Sequence, residues 1–457
     1  MPLPPPDNPG KTPRYLAIAI ELAQAIDSGQ LAPGEKLPPH RVMARQLGVT
    51  TGTVSRAYAH LERHGLASAR VGDGTFVRNR DTSAEDASNA ALPAVIDLGH
   101  NIAVPTEEAE ALLRALTALG QSPDQLARML KYQPEAGATA HRMAGARWLR
   151  RFGMAGAWER VMVTHGAQHA LAGVLRTVAR AGDTLLTEST SYPGMLALAR
   201  SLRLQVVGVD MDAQGLLPDA LDRAAQTFGT KLLFCCPTLH NPTGATMGAE
   251  RREAIAAVVR RRRMLLMEDV VHAAALEHPP AALASLVPEQ SFLMASFSKV
   301  MAPGLRVGYL EAAAPWLDKV ASSIRADCWM VAPLMPEIAT RWLDSGDAER
   351  LILLQRQCIQ ERLTLARSTL QALPVRWAAD FPHLWLPLPA PWRAADFAAR
   401  LRRRGVLVRT MEHFAVGRGT PPEAVRISLN AAADLAQLHQ GLQTVAAVWA
   451  SGPGPAA

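Results

Sequence analysis

The sequence predicts a multidomain protein: a small N-terminal α+β module, then a large α/β domain carrying a smaller α+β lobe toward its C-terminal end. Three observations predict it. A length of 457 residues exceeds what one ordinary core organises. Residues 1–78 read as short helices followed by a two-stranded ribbon, and residues 79–93 carry no apolar period. From residue 94 to about 450, strand-like and helical stretches alternate, the usual sign of a parallel α/β sheet. Hydrophobic content of 49% and charged content of 19% fit a soluble globular chain.

The net charge of +7, in which arginine heavily outweighs lysine, points to an anionic partner. It does not choose between nucleic acid, a phosphate-bearing cofactor and an acidic surface. The four cysteines, Cys235, Cys236, Cys328 and Cys358, lack metal-ligand spacing and read as buried thiols in a reducing compartment. No metal site is expected. The N-terminus is proline-rich rather than basic then apolar, so it does not read as a signal peptide. No apolar run reaches membrane-spanning length. The expected location is the cytoplasm.

The first module opens with a helix from Arg14 that sets Leu16, Ile20, Ala23 and Ile26 on one face and ends at Ser28-Gly29. A short helix from Pro39 to Leu47 stops at Gly48. Thr50 can cap a second helix that runs to His64, before Gly65. Two helices joined by a four-residue turn make a helix-turn-helix. Residues 66–70 and 75–77, around Gly72-Asp73-Gly74, read as a two-stranded wing. Arg41, Arg45, Arg56 and Arg70 sit where such a module meets phosphates. Thr51, Thr53, Ser55 and Arg56, in the first turns of the second helix, would face base edges in the major groove.

The run LAPGEKLPPHRVMARQLGVTTGTVSRAYAHLERHGLASARVGDGTFV resembles the winged helix-turn-helix of the GntR family of bacterial transcription regulators, and the likeness spans residues 14–78. The resemblance implies operator contacts from the recognition helix and wing. Arg41, Thr51, Thr53, Ser55, Arg56, Arg70, Gly72 and Gly74 are the DNA-binding candidates, and paired modules would read two half-sites of double-stranded DNA. Residues 79–93, rich in Asp, Ser, Asn and Ala, read as a solvated tether.

In the large domain, strands are predicted at 161–164, 184–188, 205–209, 231–236, 264–268, 291–295 and 307–311, with helices between them, for example at 167–180 and 249–262. The smaller lobe has strands near 384–388, 406–409 and 425–429 and helices at 395–404 and 433–449.

Four patterns in this domain carry chemistry. Phe292-Leu293-Met294 leads into Ser296, Ser298 and Lys299, then Arg306. A lysine leaving a buried strand is poorly solvated, so its neutral amine is easier to reach and can form an imine with an aldehyde. Two hydroxyls and a guanidinium beside it suit a phosphate monoester. An aldehyde that carries a phosphate describes pyridoxal 5′-phosphate (PLP). Upstream, Gly166, Ala167 and Gln168 open a helix whose free N–H groups bind anions. Asn241, before Pro242 and Gly244, can aim an amide into a cleft. Asp269 ends an apolar strand, where it can pair with a protonated pyridine nitrogen. Each pattern alone is weak; together, and in this order, they describe one PLP site with Lys299 as the catalytic residue.

The same order resembles the fold type I PLP-dependent aminotransferases from about residue 95 to 450. That resemblance adds Tyr192 as the aromatic stacked on the pyridine and Tyr132 as a residue reaching the neighbouring subunit's cofactor phosphate. It adds Arg426 as the grip on a substrate or effector carboxylate. His272 departs from the family, which usually has a tyrosine there to bond the cofactor phenolate; a histidine can also donate. His165 stands where a small residue is commoner. A GntR-type reader joined to such a domain resembles the MocR subfamily. This implies a head-to-tail homodimer and a PLP-dependent transcription regulator that senses a small amino compound by exchange at the Lys299 imine. The residues leave open a working aminotransferase carrying a DNA module, and a regulator that senses PLP itself.

Overall fold

The computed structural model describes residues 13–28, 30–31, 35–63, 66–70, 74–77, 95–417 and 421–453. The tether expected at 79–93 lies outside them, as does Gly72. Contacts divide the chain into a unit built on its N-terminal residues through Asn89 and a second unit that begins at Ala90.

The first unit holds three helices, Arg14–Asp27, His40–Gln46 and Thr51–Arg63, and an antiparallel pair, Ala67–Arg70 with Gly74–Val77. The Thr50 hydroxyl accepts the Thr53 N–H at 3.3 Å, the N-terminal cap that a threonine supplies. The core joins Leu37, Met43, Val54, Tyr58 and Leu61 to the first helix. That helix buries Ile18, Ala19, Ala23 and Ile26, while Leu16 and Ile20 are only half-buried at the edge of the stripe. The sequence reading therefore set the face slightly rotated. Two apolar residues on adjacent positions, Ile18 and Ala19, make the period ambiguous by about one residue.

The second unit is built on a seven-stranded sheet. Its order is Val161–Thr164, Gly308–Ala312, Ser291–Ser296, Leu265–Asp269, Leu232–Cys235, Thr184–Glu188, Gln205–Val209. Its faces are closed by two apolar clusters. Val163, Leu186, Leu233 and Leu293 turn to one, and Met162, Leu185, Phe234 and Phe292 to the other, as expected of strands buried on both sides. The all-parallel expectation is corrected at one strand. Gly308–Ala312 runs antiparallel to both its neighbours. The segment between Phe297 and Val307 holds only a 3-10 turn, Pro303–Leu305, and no crossover helix, so the chain turns back rather than crossing over. Lys299 and Arg306 lie in that return.

The smaller lobe is a three-stranded antiparallel sheet, ordered His383–Pro387, Ala424–Ser428, Arg409–Thr410, packed with the helices Ala394–Arg403, Leu435–Ala450 and Asp347–Thr369. The strand expected at 406–409 divides. Val406–Leu407 instead pairs in parallel with Ile96–Asp97, which had no assigned role. The start of the large domain thus belongs to the lobe, and the chain beyond it, Leu98 to Asn101, runs toward the carboxyl ends of the main strands. Cys235 and Cys236 are buried, but Cys328 and Cys358 keep accessible surface, contrary to the reading of all four as buried; all four are free thiols. No helix among the described residues is long and apolar enough to cross a membrane.

Candidate functional site

Asp269 ends its strand in register with Met294 of the neighbouring one, and Lys299 leaves that neighbour just beyond Ser296. Both side chains therefore sit at the carboxyl edge of the sheet. Burial pushes the Asp269 carboxyl up to about 6, against the opposing pulls of the Val271 N–H, which it accepts at 2.8 Å, and of the Lys299 charge. Asp269 as a residue still keeps some accessible surface. An acid crowded by protein yet open on one side suits a cationic ring nitrogen. Lys299 Nζ donates to the carbonyl of Asn101 at 2.7 Å.

One side of this edge forms a cup. Gly166 has φ +79 and precedes the helix Ala167–Val178. A Cβ there would lie 3.0 Å from an Arg306 guanidinium nitrogen and 3.6 Å from the Ser296 hydroxyl. Arg306 donates to the Ser298 hydroxyl at 3.3 Å and to the His165 carbonyl at 3.2 Å, and the Ser296 and Ser298 hydroxyls are 2.9 Å apart. The site thus brings together five predicted residues: Gly166, Ser296, Ser298 and Arg306, with Ala167 at the helix start. Gly308, which was not singled out, makes the cup possible: a Cβ on it would lie 2.7 Å from the Gly166 Cα. Gln168 turns its amide N–H to the Gly194 carbonyl at 2.9 Å, leaving its buried Oε1 without a partner among the described residues. The Tyr192 ring lies over Gly194, where an added Cβ would be 2.4 Å from Tyr192 Cζ.

On the other side, Asn241 is 4% exposed and its Oδ1 accepts from Arg426 at 2.9 Å. This bond fixes the amide so that its NH2 remains the donating end. Arg426 also donates to the Gly99 carbonyl and stacks its guanidinium 5.0 Å from the Phe414 ring centre. His272 Nε2 lies 2.9 Å from Asn101 Nδ2. An amide nitrogen only donates, so Nε2 accepts and the ring proton resides on Nδ1. Burial, then the charges of Lys299 and Arg426, hold the ring neutral, with its pKa down to about 3. Any donation from His272 must come from Nδ1. Gly99 and Asn101 were missed. Their only sequence signal is a polar Gly-His-Asn run directly after Ile96-Asp97-Leu98. Tyr132 stands on the surface, 81% exposed, with its ring 5.9 Å from that of Trp329.

In the N-terminal unit, Arg41, Thr51 and Arg56 are exposed, and the Arg56 guanidinium lies 5.6 Å from the Tyr15 ring centre. Thr53 shares its hydroxyl with Thr50 at 2.9 Å. Ser55 differs from expectation. It is half-buried, and its hydroxyl meets His40 Nδ1 at 3.0 Å, tying the two helices together rather than reaching outward. Arg70 pairs through its backbone with Gly74, whose φ of +104 suits glycine.

Residues 14–77 match the family model for bacterial regulatory proteins of the gntR family, and residues 94–445 match that for aminotransferase class I and II. Over 438 residues, 94% of this chain and 93% of the relative, the sequence is 30% identical to the HTH-type transcriptional regulator YdeF of Bacillus subtilis. The chain belongs to the MocR-type regulators of the GntR family.

This regulator is also 28% identical to the HTH-type pyridoxine biosynthesis transcriptional regulator PdxR of Corynebacterium glutamicum, over 81% of both chains. It is 26% identical to the vitamin B6 salvage pathway transcriptional repressor PtsJ of Salmonella typhimurium, over 95% of this chain and 99% of that one. In fold it is similar to an archaeal alanine:glyoxylate aminotransferase (TM-score 0.71, 22% identity, 79% of this chain and 91% of that one). It is likewise similar to a Thermus thermophilus aspartate aminotransferase variant (TM-score 0.68, 24% identity, 79% of this chain and 97% of that one).

Proposed function

We propose that this regulator holds PLP in its aminotransferase-like domain, recognises an amino compound beside it, and through that event changes how its reader modules engage operator DNA. One observation carries the reading: Lys299 and Asp269 leave adjoining strand ends, between a donor cup and an amide–guanidinium pair. The residues present fit the cofactor. The Gly166–Arg306–Ser296 cradle, which a single Cβ would crowd, offers backbone N–H, guanidinium and hydroxyl donors to a phosphate. Asp269 would hold a proton on the ring nitrogen, Asn241 would donate its NH2 to the ring oxygen, and Tyr192 would cover a ring face. Lys299 would carry the aldehyde carbon, and Arg426 would take an incoming carboxylate. When bound, the cofactor supplies an aldehyde that exchanges one amine for another beside an electron-withdrawing ring.

In this reading residues 1–78 are the DNA reader, 79–93 the tether and 94–450 the PLP-binding domain of a head-to-tail homodimer in the cytoplasm. The relatives named for pyridoxine biosynthesis and vitamin B6 salvage support a link to this cofactor. Tyr132, exposed in one chain, is free to meet a second. Arg41, Thr51, Arg56 and the wing would contact the operator. The test is Lys299→Ala. It should abolish the visible absorption band that the cofactor acquires on joining a lysine amine, while the protein stays folded and binds DNA. An unchanged spectrum would show that another group carries the aldehyde.

A further inference from the structure

We propose that His383 and Ser428 form the selective end of the effector pocket. They would recognise an amino acid whose side chain ends in a neutral group that both donates and accepts a hydrogen bond, a hydroxyl or a carboxamide. The inference rests on the reading that Arg426 takes the effector's carboxylate.

His383 and Ser428 are direct partners on antiparallel strands, so their side chains stand on one face of the lobe's sheet. Arg426, two positions before Ser428, shares that face. Leu384, Leu386, Val425 and Ile427 turn the other way, into the lobe's core. His383 is 2% exposed and Ser428 0%, yet among the described residues neither ring nitrogen of His383 nor the Ser428 hydroxyl has a hydrogen-bond partner. Three buried polar atoms left unmet side by side destabilise a fold unless something completes them. The His383 ring lies 4.7 Å from Phe381 and 6.0 Å from His272, edge to face in both cases, so it adjoins the residues around Lys299.

The chemistry of the occupant follows from the donors and acceptors. Burial, followed by the charges of Arg426 and Lys299, keeps His383 neutral, so its ring offers one N–H and one lone pair. Ser428 likewise offers both. A cationic side chain would face Arg426 and Lys299 as like charges. An aliphatic one would leave all three atoms unmet. A carboxylate only accepts and leaves the imidazole lone pair without a donor. A hydroxyl or carboxamide answers both needs.

The test titrates cofactor-loaded, full-length protein with serine, threonine, asparagine and glutamine, against alanine, valine, leucine, aspartate, glutamate and lysine. The cofactor's visible spectrum is the readout. The neutral polar set should half-saturate at concentrations about tenfold or more below those of the aliphatic amino acids nearest in size. His383→Phe should erase that preference. Ser428→Ala, a smaller change that the fold absorbs more easily, should narrow it, and thermal melts of both variants report any loss of folding. A preference for aliphatic or charged side chains overturns the inference and leaves the reading of Arg426 standing. So does a preference unchanged in both folded variants, since the two groups would then serve packing alone. A spectrum that answers to no amino acid overturns both.

Discussion

At the scale of single residues, the site's character comes from charges kept under protein. Asp269 is pushed up to about 6, and two further acids, Glu188 and Glu268, are pushed up to about 7, in each case chiefly by burial. Glu188 accepts from the Cys236 N–H at 2.7 Å and Glu268 from the Ala284 N–H at 2.6 Å, which offsets part of that penalty. A carboxyl raised in the folded state favours folding while protonated, and that advantage is lost as pH rises through the folded value. Cofactor-free Asp269→Asn, whose amide oxygen can still accept from Val271, should therefore outlast the unsubstituted protein at pH 8 by on the order of 2 kcal/mol. The gap should close toward pH 4, and melts across that range will read it. A gap that does not vary with pH would mean that Asp269 ionises freely. Lys299, Asp269, Asn241 and Gly166 were legible because each stands at a strand end or turn with a distinctive neighbour. His383 and Ser428 were not legible. A lone polar residue in an apolar strand says nothing of its face until the register with its partner strand is known.

At the scale of elements, the helix Thr51–Arg63 carries the reader. Its limits were readable because local chemistry sets them: a capping threonine before it and a glycine that ends the preceding helix. Arg56 projects from an exposed position on it while lying over Tyr15. Replacing Arg56 with Ala should weaken operator binding across sequences and reduce the slope of log affinity against log salt by about 1, as for one lost phosphate contact. Binding isotherms at several salt concentrations decide this, and an unchanged slope would remove Arg56 from the interface. Strand direction was harder to read. Gly308–Ala312 is buried throughout, like the strands of the sheet that run parallel to one another, and only the absence of a crossover helix before it marks the reversal. The pairing of Ile96–Asp97 with Val406–Leu407 joins segments some three hundred residues apart, beyond any local pattern.

At the scale of the whole molecule, the second unit leaves apolar side chains in solvent. Leu130 is 90% exposed and Tyr132 81%, close in sequence beyond the helix Pro123–Met129. Neighbouring exposed apolar side chains are what a protein interface covers. Burying one leucine there contributes about 1.5–3 kcal/mol, so Leu130→Asp should weaken self-association by about tenfold or more. Sedimentation over a concentration series reads this directly. Matching curves for the variant and the unsubstituted protein would show that Leu130 takes no part in self-association.

The carbonyls of Gly99 and Asn101 give the last consequence. The Gly99 carbonyl is already bonded to Arg426, the cation that an amino acid's carboxylate would seek, and the Asn101 carbonyl to Lys299. A carboxylate arriving at Arg426 would therefore share or contest one of its donors with a piece of the chain's own backbone. That piece is continuous, through Ile96, with the peptide leading back to the reader. Where the carboxylate displaces the Gly99 carbonyl, occupancy and the posture of this short segment become two measures of one equilibrium, and whatever holds the segment down weakens the ligand by the same factor.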